Sequence, residues 1–381
     1  MKKFLLFIFF VVFIVSACGS RSDEINYVFE MLSEEGNVTR FENIEDLFDL
    51  FNVAPSGSRD WEDDSILFAE QGPVSILTGL PINEDYINRR PLAVIVNNIH
   101  VALPQSGITS ADIIYEVLSE GDITRLIAIY QSYIPEKIGP VRSARDYFVD
   151  FAFNHDAIFI HHGASESGYS RIRGSQITVL DGMALEGSVF WRDRTYPAWA
   201  GISGQRPMEH SSYTGWTRIY THLYSRNLRR EINDNPDFGF NFGTQPNEPA
   251  GFAERVTIPF SPGYPRTFIF DSTSGLYYVE HRGGQLLDAV TQEQVTVTNI
   301  LIQLTTVQNI AGDAAGRRTV RTTGEGVGYL ITGGTYRPVT WASEGTNSPT
   351  RWYFEDGSPM VLTPGRTWIC VLQSNATPSF E

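Results

Sequence analysis

The stretch from Ile138 to Gly168, IGPVRSARDYFVDFAFNHDAIFIHHGASESG, combines residue types that bind anions and transfer protons. Arg142 and Arg145 precede a helix-like segment, and His161 and His162 end a strand-like one. Guanidinium groups bind carboxylates and phosphates, and an imidazole exchanges a proton near neutral pH. The stretch therefore predicts an anion pocket, a catalytic centre, or a scaffold whose charges pair internally.

The two arginines flank a predicted helix start. Ser143 is an expected N-cap, with Asp146 three residues further on. Arg142 would then lie just outside the helix and Arg145 in its first turn. Cations are unfavourable at this end of the helix dipole, where free backbone N–H groups attract anions. The pair predicts a nearby anion, which is either a carboxylate of the protein or a phosphate or carboxylate of a ligand.

Glu116 is the predicted internal partner. In IIYEVL it shares a strand face with Ile114 and Leu118, so it points towards apolar neighbours. A two-residue turn that begins at Glu120, a residue we expect to be solvated, places Glu116 opposite Arg125 on the next strand. Glu116 is then either half of a buried salt bridge or an acid whose pKa burial has raised.

Two sets of candidate site residues follow. The residues expected to bind a ligand are Arg125, Arg142, Arg145, Arg192, His162 and Tyr213. The residues that could act as acid or base are Glu116, Asp193, His161 and His210. Acid–base hydrolysis requires an available carboxyl group, so an ion pair at both Glu116 and Asp193 would remove the predicted acid.

Metal and cofactor motifs do not accompany these residues. HExxH and CxxC spacings are absent, and adjacent histidines on one strand point to opposite faces. GEGVG at Gly324–Gly328 lies in a strand-rich region with no helix after it, which predicts a turn rather than a nucleotide loop. We expect no metal and no cofactor.

The elements that must position these residues have an α+β pattern. Strand-like runs cover residues 91–98, 113–118, 125–132 and 157–162. The apolar stripe of a helix consists of Ala144, Tyr147, Phe148, Phe151 and Ala152. A second helix is predicted between Thr214 and Asn233. Together these elements predict a layered mixed α/β domain over residues 76–245.

A smaller domain is predicted after this one. The region from Asn233 to Gly251 is rich in turn residues. Beyond it, short apolar runs alternate with Gly, Pro and Asp, a pattern typical of a mainly β unit. We therefore predict a β-rich domain over residues 252–375 and an α+β class for the whole chain.

The N-terminus predicts export and anchoring. Residues 1–17 contain two lysines and then an apolar run, which is typical of a signal peptide. Cys18 follows small residues, as in the lipobox of bacterial lipoproteins, so we expect it to carry lipid, palmitate included, at the outer face of the cell membrane. An ordinary signal peptide or an uncleaved anchor is the alternative.

Residues 18–75 predict an acidic tether. The segment Asp23–Glu70 has fourteen acidic and two basic side chains and carries most of the net charge of −15. An acidic segment keeps a domain away from an anionic membrane surface. Thr39 and Glu42 form a capping-box pattern that predicts a short helix within the tether. No basic block exists in the chain, which argues against nucleic-acid binding.

The motifs as a set resemble a known family. RRPLAVIVNN, ALPQSGITSADIIYEVLSEGDITRLIAIYQS and IGPVRSARDYFVDFA are similar to the YerB family of bacterial lipoproteins, and TNILIQ, GEGVGYLITGG and DGSPMVLTPGRTWICV resemble its C-terminal domain. The resemblance spans Leu77 to Leu372. It implies a two-domain extracytoplasmic lipoprotein with a layered α/β N-terminal domain, and it implies no particular reaction.

One segment departs from the family pattern. The family has an Arg-Asp followed by Lys/Arg-Ala-Pro-His-Asn-Leu-Tyr, whereas WRDRTYPAWAGISGQRPMEHSSYTG here has extra residues before His210. Arg192, Asp193 and Tyr213 match the pattern. The loop between them is expected to have its own shape.

Three hypotheses for function remain. The first is an envelope lipoprotein that binds an anionic or glycan ligand in an arginine-rich cleft. The second is an enzyme acting on peptidoglycan or another wall glycan through a carboxyl group and a histidine. The third is a protein-interaction module for envelope assembly. The expected partners are the membrane, through the lipid, and a wall glycan or anion.

Overall fold

The structure is a computed structural model, and it describes residues 29–32, 38–41, 72–234, 236–245 and 248–381. The chain divides into two compact units, residues 1–70 and 71–381. In the first unit, β1 (Phe29–Leu32) pairs antiparallel with β2 (Val38–Phe41). Thr39 thus lies in a strand, so the prediction of a helix that starts there is wrong as far as Phe41. The rest of that helix, the signal peptide and Cys18 lie outside the described residues.

Helices are few in the described part of the second unit. The α-helices are α1 (Glu84–Ile87), α2 (Asp146–Phe153), α3 (Glu166–Arg173), α4 (Gly182–Leu185) and α5 (Trp216–Ser225). Short 3-10 helices cover His100–Ala102, Ile108–Ser110, Ala198–Ala200 and Met208–His210. Among the described residues, no helix has the length and apolar character needed to cross a membrane.

Strands dominate the second unit. Before residue 250 they are β3 (Leu92–Asn97), β4 (Ile113–Glu120), β5 (Ile123–Tyr130), β6 (Ile158–His161), β7 (Val179–Asp181), β8 (Trp191–Arg192), β9 (Ser212–Tyr213) and β10 (Asn241–Phe242). After it they are β11 (Gly251–Phe252), β12 (Arg255–Pro259), β13 (Pro265–Asp271), β14 (Leu276–His281), β15 (Gly284–Gln285), β16 (Thr296–Val297), β17 (Asn299–Thr305), β18 (Val307–Asn309), β19 (Arg318–Val320), β20 (Gly324–Thr332), β21 (Thr335–Ser343), β22 (Arg351–Phe354), β23 (Val361–Leu362), β24 (Thr367–Gln373) and β25 (Ser379–Phe380).

One eleven-stranded mixed sheet runs through both halves of the sequence. Its order is β11-β21-β20-β17-β24-β4-β5-β3-β6-β7, with β22 on β21. The halves join where β24 pairs in parallel with β4, which places Cys370 beside Glu116. A six-stranded sheet, β15-β14-β13-β12-β25 with β16 on β14, forms a second layer.

The large sheet is covered on both faces. Alternation along β4 and β5 sends Tyr115, Val117 and Ile127 to the face that packs on α2. The opposite face carries Ile114 and Leu126 and packs on α5 and the six-stranded sheet. Because both faces are apolar, a charged side chain on either face is buried and needs a partner.

The predicted α+β class and the strand-rich second half are confirmed. The helix α2 also forms where its apolar stripe predicts it, but its N-cap is Arg145 rather than Ser143. Ser143 instead donates from its hydroxyl to the carbonyl of His162 at 3.1 Å. Arg145 therefore lies at the helix boundary and not in the first turn. The predicted domain limits stay predictions.

Candidate functional site

A pocket of about 380 Å³ lies where the loop after β6 meets the segment before α2. The two segments run side by side, because Ala144 N–H donates to Gly163 O at 2.9 Å and His162 N–H donates to Arg142 O at 3.1 Å. Gly163 turns the chain with a φ of +74°, a conformation that favours glycine. The lining residues that matter chemically are Arg142, Ser143, His162, Gly163, Arg192 and Glu209.

Arg142 is the positive group of this pocket that lacks an anion. Its Nη1 donates to the backbone oxygen of Glu209 at 2.9 Å. Among the described residues it makes no ion pair. Burial lowers the pKa of Arg142, the charge of Glu209 opposes this shift, and the charge of Arg192 adds to it. An arginine stays protonated at neutral pH, so Arg142 brings a positive charge to the pocket, which Glu209 also lines.

Three residues of the protein fix the position of the Arg192 guanidinium. It makes a two-pronged ion pair with Glu186, at 2.7 Å from Nε to Oε1 and 3.0 Å from Nη2 to Oε2. Its Nη1 donates to Met208 O at 2.9 Å, and Nη2 lies 2.9 Å from His162 Nε2. Arg192 therefore contributes a fixed guanidinium whose charge Glu186 largely offsets.

The protonation of His162 follows from these contacts. A guanidinium can only donate, so His162 Nε2 accepts from Arg192 and the proton lies on Nδ1. Nδ1 then donates to Ser212 Oγ at 2.8 Å. Burial and the adjacent Arg192 charge both lower the pKa of His162. A neutral His162 is the arrangement that these neighbours favour.

His161 points to the other side of the strand, as alternation predicts. It is fully buried, and its Nδ1 lies 2.8 Å from Gly163 O, so Nδ1 donates. Its Nε2 is enclosed without a hydrogen-bond partner. Burial lowers the pKa of His161, although the Asp181 carboxylate and the contact with Gly163 O oppose this. His161 supports the Gly163 turn from behind and does not line the pocket.

His210 is set apart from the pocket by Glu209. Asn97 Nδ2 donates to His210 Nδ1 at 2.7 Å, because Asn97 Oδ1 already accepts from Ile99 N–H at 3.3 Å. Burial lowers the pKa of His210, and the charge of Arg142 acts in the same direction. Although His210 does not line the pocket, its turn presents the Glu209 carbonyl to Arg142.

Arg125 and Arg145 lie outside the pocket. Both make ion pairs with Glu120, at 2.7 Å from Arg125 Nη2 to Oε2 and by a close contact from Arg145 Nη2 to Oε1. Glu120 keeps 29% of its side chain exposed, and the expectation that it is simply solvated is wrong. The nearby anion predicted for the pair is therefore a carboxylate of the protein in the case of Arg145. Arg142 has no such carboxylate partner among the described residues, so a ligand anion stays a prediction for it.

The predicted Glu116–Arg125 pair is wrong. The two-residue turn lies at Gly121 and Asp122, one residue later than predicted, and a bulge between Leu118 and Glu120 then shifts the register by one residue. Glu116 therefore lies opposite Leu126, and Arg125 opposite Val117. A one-residue slip moves a side chain to the other face of the sheet. Arg125 therefore faces the α2 side, and Glu116 faces the six-stranded sheet.

Glu116 pairs instead with Arg266 of β13. The two side chains are 1% and 0% exposed and make contacts of 2.8 Å (Nε to Oε2) and 2.9 Å (Nη2 to Oε1). Thr124 Oγ1 donates to Oε1 at 2.8 Å, and Trp368 Nε1 to Oε2 at 3.2 Å. Every oxygen of Glu116 is occupied, so this carboxylate is a structural link and has no access to substrate.

Asp193, the second candidate acid, is also paired. Its Oδ2 accepts from Lys137 Nζ at 2.6 Å and its Oδ1 from Thr195 N–H at 2.9 Å. Burial raises the pKa of Asp193, but the Lys137 and Thr195 hydrogen bonds outweigh it and the net shift is downward. Lys137 also lies 4.7 Å above the ring of Tyr213, a fully buried residue whose hydroxyl lacks a partner.

The structure thus brings together Arg142, Arg192 and His162 and separates the other candidates from them. In the described part of the chain, no cluster of three or more His, Cys, Asp or Glu side chains could hold a metal ion. Sequence reasoning missed Glu186 and Ser212, which fix Arg192 and His162. An isolated Glu after a short helix, or an isolated Ser in a two-residue strand, carries no spacing signal that could have identified it.

Known proteins share this architecture. Residues 77–229 match the family described as "Protein of unknown function (DUF3048) N-terminal domain", and residues 256–369 match the corresponding C-terminal domain. "Putative lipoprotein YerB" of Bacillus subtilis (strain 168) is 33% identical over 301 residues, which is 78% of this chain and 85% of that protein. The crystal structure of the Bacillus subtilis YerB protein superposes with a TM-score of 0.69 and 30% identity, over 81% of this chain and 99% of that one. The predicted resemblance is confirmed, and this chain belongs to the YerB-like, two-domain DUF3048 family.

Proposed function

We propose that this protein is a membrane-anchored lipoprotein of the cell envelope that binds an anionic group of the cell-wall glycan in the Arg142–Arg192 pocket. The anchoring part draws support from the lipobox-like Cys18 and from the word "lipoprotein" in the name of the Bacillus subtilis relative. Lipid on Cys18 would hold the protein at the outer face of the cell membrane. The acidic segment Asp23–Glu70 would act as a spacer between that face and the folded body.

The observation that carries the binding proposal is the absence of an ion pair at Arg142 within the described residues. Neighbouring arginines differ in this respect, since Arg145 and Arg125 share Glu120 and Arg192 holds Glu186. A partly buried guanidinium beside a cavity gains most from a carboxylate or phosphate that two N–H groups can bind. Arg192 and His162 form the opposite wall, whose geometry their mutual hydrogen bond fixes.

A wall-degrading enzyme has less support. Both predicted acids, Glu116 and Asp193, are engaged by Arg266 and Lys137. His162 carries its proton on Nδ1, which faces Ser212 and not the cavity wall formed with Arg192. General acid catalysis needs an available proton donor within reach of the leaving group, and these side chains do not provide one.

The binding proposal is tested by calorimetric titration of the mature chain with two probes. N-acetylmuramic acid supplies a carboxylate on a sugar, and glycerol 1-phosphate supplies a phosphate. We expect Arg142→Gln to weaken binding of the recognised probe by about tenfold or more, the loss of one charged contact. Arg173→Gln, which removes an exposed arginine from α3, is the matched control. If neither probe binds, or if Arg142→Gln binds as the parent does, the proposal fails.

A further inference from the structure

A second groove of about 820 Å³ lies between α1 and α5. Its size is in the range of pockets for small ligands. Its lining includes Arg89, Tyr220 and Trp216, and its rim includes the carboxylates of Glu84 and Glu231. None of these residues belongs to the Arg142 pocket.

Arg89 is a buried charged residue with few interactions to offset the cost of its burial. Its exposed fraction is 7%, and it makes no ion pair among the described residues. Nη2 donates to Gln131 O, while Nε is enclosed without an acceptor. Asp112 attracts Arg89 from beyond ion-pair distance. A charge buried in this way is costly unless a partner supplies the missing acceptor.

Aromatic rings compensate only part of this cost. The guanidinium carbon of Arg89 lies 4.1 Å from the Tyr86 ring and 4.7 Å from the Trp216 ring. The Trp216 ring also lies 3.7 Å from the Tyr220 ring, between centroids. Cation–π contacts use the face of the guanidinium, so they supply no acceptor for Nε of Arg89. Because Trp216 contacts both neighbours, it is poorly placed to stack on a sugar ring.

Tyr220 supplies a second unsatisfied donor next to the first. Its hydroxyl is enclosed and has no hydrogen-bond partner. Tyr220 and Arg89 line the same groove, and both lie against the Trp216 ring. Nη2 of Arg89 is occupied by Gln131 O, so the donors left for a ligand are Nε and Nη1 of Arg89 and the Tyr220 hydroxyl. A carboxylate, which has four lone-pair positions, could accept from such a set.

The rim of the groove carries the opposite charge. Glu84, Asp85 and Glu231 are exposed, and none of them makes an ion pair with a described residue. Arg230, which also lines the groove, is held by Leu228 O at 2.8 Å and lies 4.2 Å from the Tyr224 ring. A ligand with a carboxylate at one end and an ammonium group at the other would match both the floor and the rim.

We infer that this groove binds a zwitterionic ligand of the amino-acid and short-peptide class. Its free carboxylate would accept hydrogen bonds from Arg89 and Tyr220, and its ammonium group would face Glu84, Asp85 and Glu231. The inference is independent of the ligand at Arg142, because the two sites share no lining residue.

The test uses calorimetry of the mature chain with four probes. These are the tripeptide Ala-Ala-Lys, its C-terminal amide, the tripeptide Ala-Ala-Gln and free lysine. We expect the Ala-Ala-Lys acid to bind about tenfold more tightly than its amide, which lacks the carboxylate. Ala-Ala-Gln keeps the N-terminal ammonium group but lacks the one on the side chain, so it should bind the three carboxylates of the rim more weakly than Ala-Ala-Lys does. Free lysine distinguishes an amino-acid site from a peptide site.

Variants test whether these binding preferences arise in the groove. Arg89→Gln should remove the preference for acid over amide, with its folding checked by circular dichroism. Asp85→Asn with Glu231→Gln changes only exposed side chains and should remove the preference for Lys over Gln. Glu355→Gln is the control, an exposed glutamate far along the chain. Three results would overturn the inference. They are equal binding of the acid and the amide, no binding of any probe at about 10 mM, and an unchanged preference for Lys over Gln in the Asp85→Asn, Glu231→Gln variant.

Discussion

At the residue scale, the chemistry of this protein depends on which charges are paired. Glu116 and Arg266 satisfy each other in the interior, and Glu120 holds Arg125 and Arg145. Arg142 makes no ion pair among the described residues. Sequence reasoning correctly identified charged groups near α2. It could not identify Arg266 as a partner, because 150 residues separate it from Glu116.

Removing one member of the buried pair should be costly. Glu116→Gln leaves Arg266 charged and almost fully buried, and we expect the free energy of unfolding to fall by about 3–5 kcal/mol. Urea denaturation followed by tryptophan fluorescence measures the change. The double variant Glu116→Met with Arg266→Met should be more stable than the single one. Equal stability of Glu116→Gln and the parent would contradict the role of the pair.

The buried histidine His155 predicts an acid dependence of stability. Burial lowers the pKa of His155 to about 3, and its Nε2 contacts Tyr115 Oη at 2.8 Å. Below the unfolded pKa of about 6.5 the unfolded chain binds a proton that the folded chain does not. Stability contributed by His155 is therefore present above pH 6.5 and falls by up to about 1.4 kcal/mol per pH unit as the pH drops towards 3.

The variant His155→Gln isolates this contribution from other groups. Burial raises the pKa of Asp112, which acts in the opposite direction, but this effect is common to both proteins. Unfolding midpoints measured between pH 7 and pH 5 should decline less steeply for His155→Gln than for the parent. Parallel curves would show that His155 becomes protonated without cost in the folded protein.

At the element scale, turns and bulges decide which side chains meet. The apolar periodicity of α2 and the strand runs at β3 to β6 were predictable, because each element buries a regular face. The bulge after Leu118 was not, since no residue type in LSEGD requires it. That one irregularity moved Arg125 to the opposite face from Glu116. It therefore lets Arg125 join Arg145 at Glu120 and leaves Glu116 to face Arg266.

Gly182, the first residue of α4, lies directly against the His162 ring. A Cβ atom there would lie 2.2 Å from His162 Nδ1, where the ring is held by Ser212 and Arg192. Gly182→Ala should displace His162 and weaken anion binding severalfold, measured by the same titration as for Arg142. Gly174→Ala, where the nearest atom is 3.4 Å away, is the control. Unchanged binding in Gly182→Ala would show that His162 does not shape the pocket.

At the scale of the whole molecule, the eleven-stranded sheet joins the two halves of the sequence. The turn-rich region before Gly251 suggested a boundary, and nothing local to TWICVLQ indicated that this strand pairs with β4. Pairing between distant strands depends on tertiary packing, which sequence periodicity does not contain. The fold class was thus predictable, whereas the continuity of the sheet was not.

This continuity predicts cooperative unfolding. The parallel β4–β24 pair and the Glu116–Arg266 link lie inside the shared core, so neither half can open without exposing it. We expect circular dichroism and tryptophan fluorescence to report one coincident urea transition for residues 71–381. Two separate transitions would mean that the halves are stable independently and that the shared sheet contributes little.

The most direct test of anion binding at Arg142 is co-sedimentation of the mature chain with purified cell-wall sacculi. We expect the parent and the Arg173→Gln control to sediment with the sacculi and Arg142→Gln to remain in the supernatant. Because the contact is ionic, added salt should release the parent as well. If Arg142→Gln sediments as fully as the parent, the anion at Arg142 does not hold this protein to the wall, and the proposed function is contradicted.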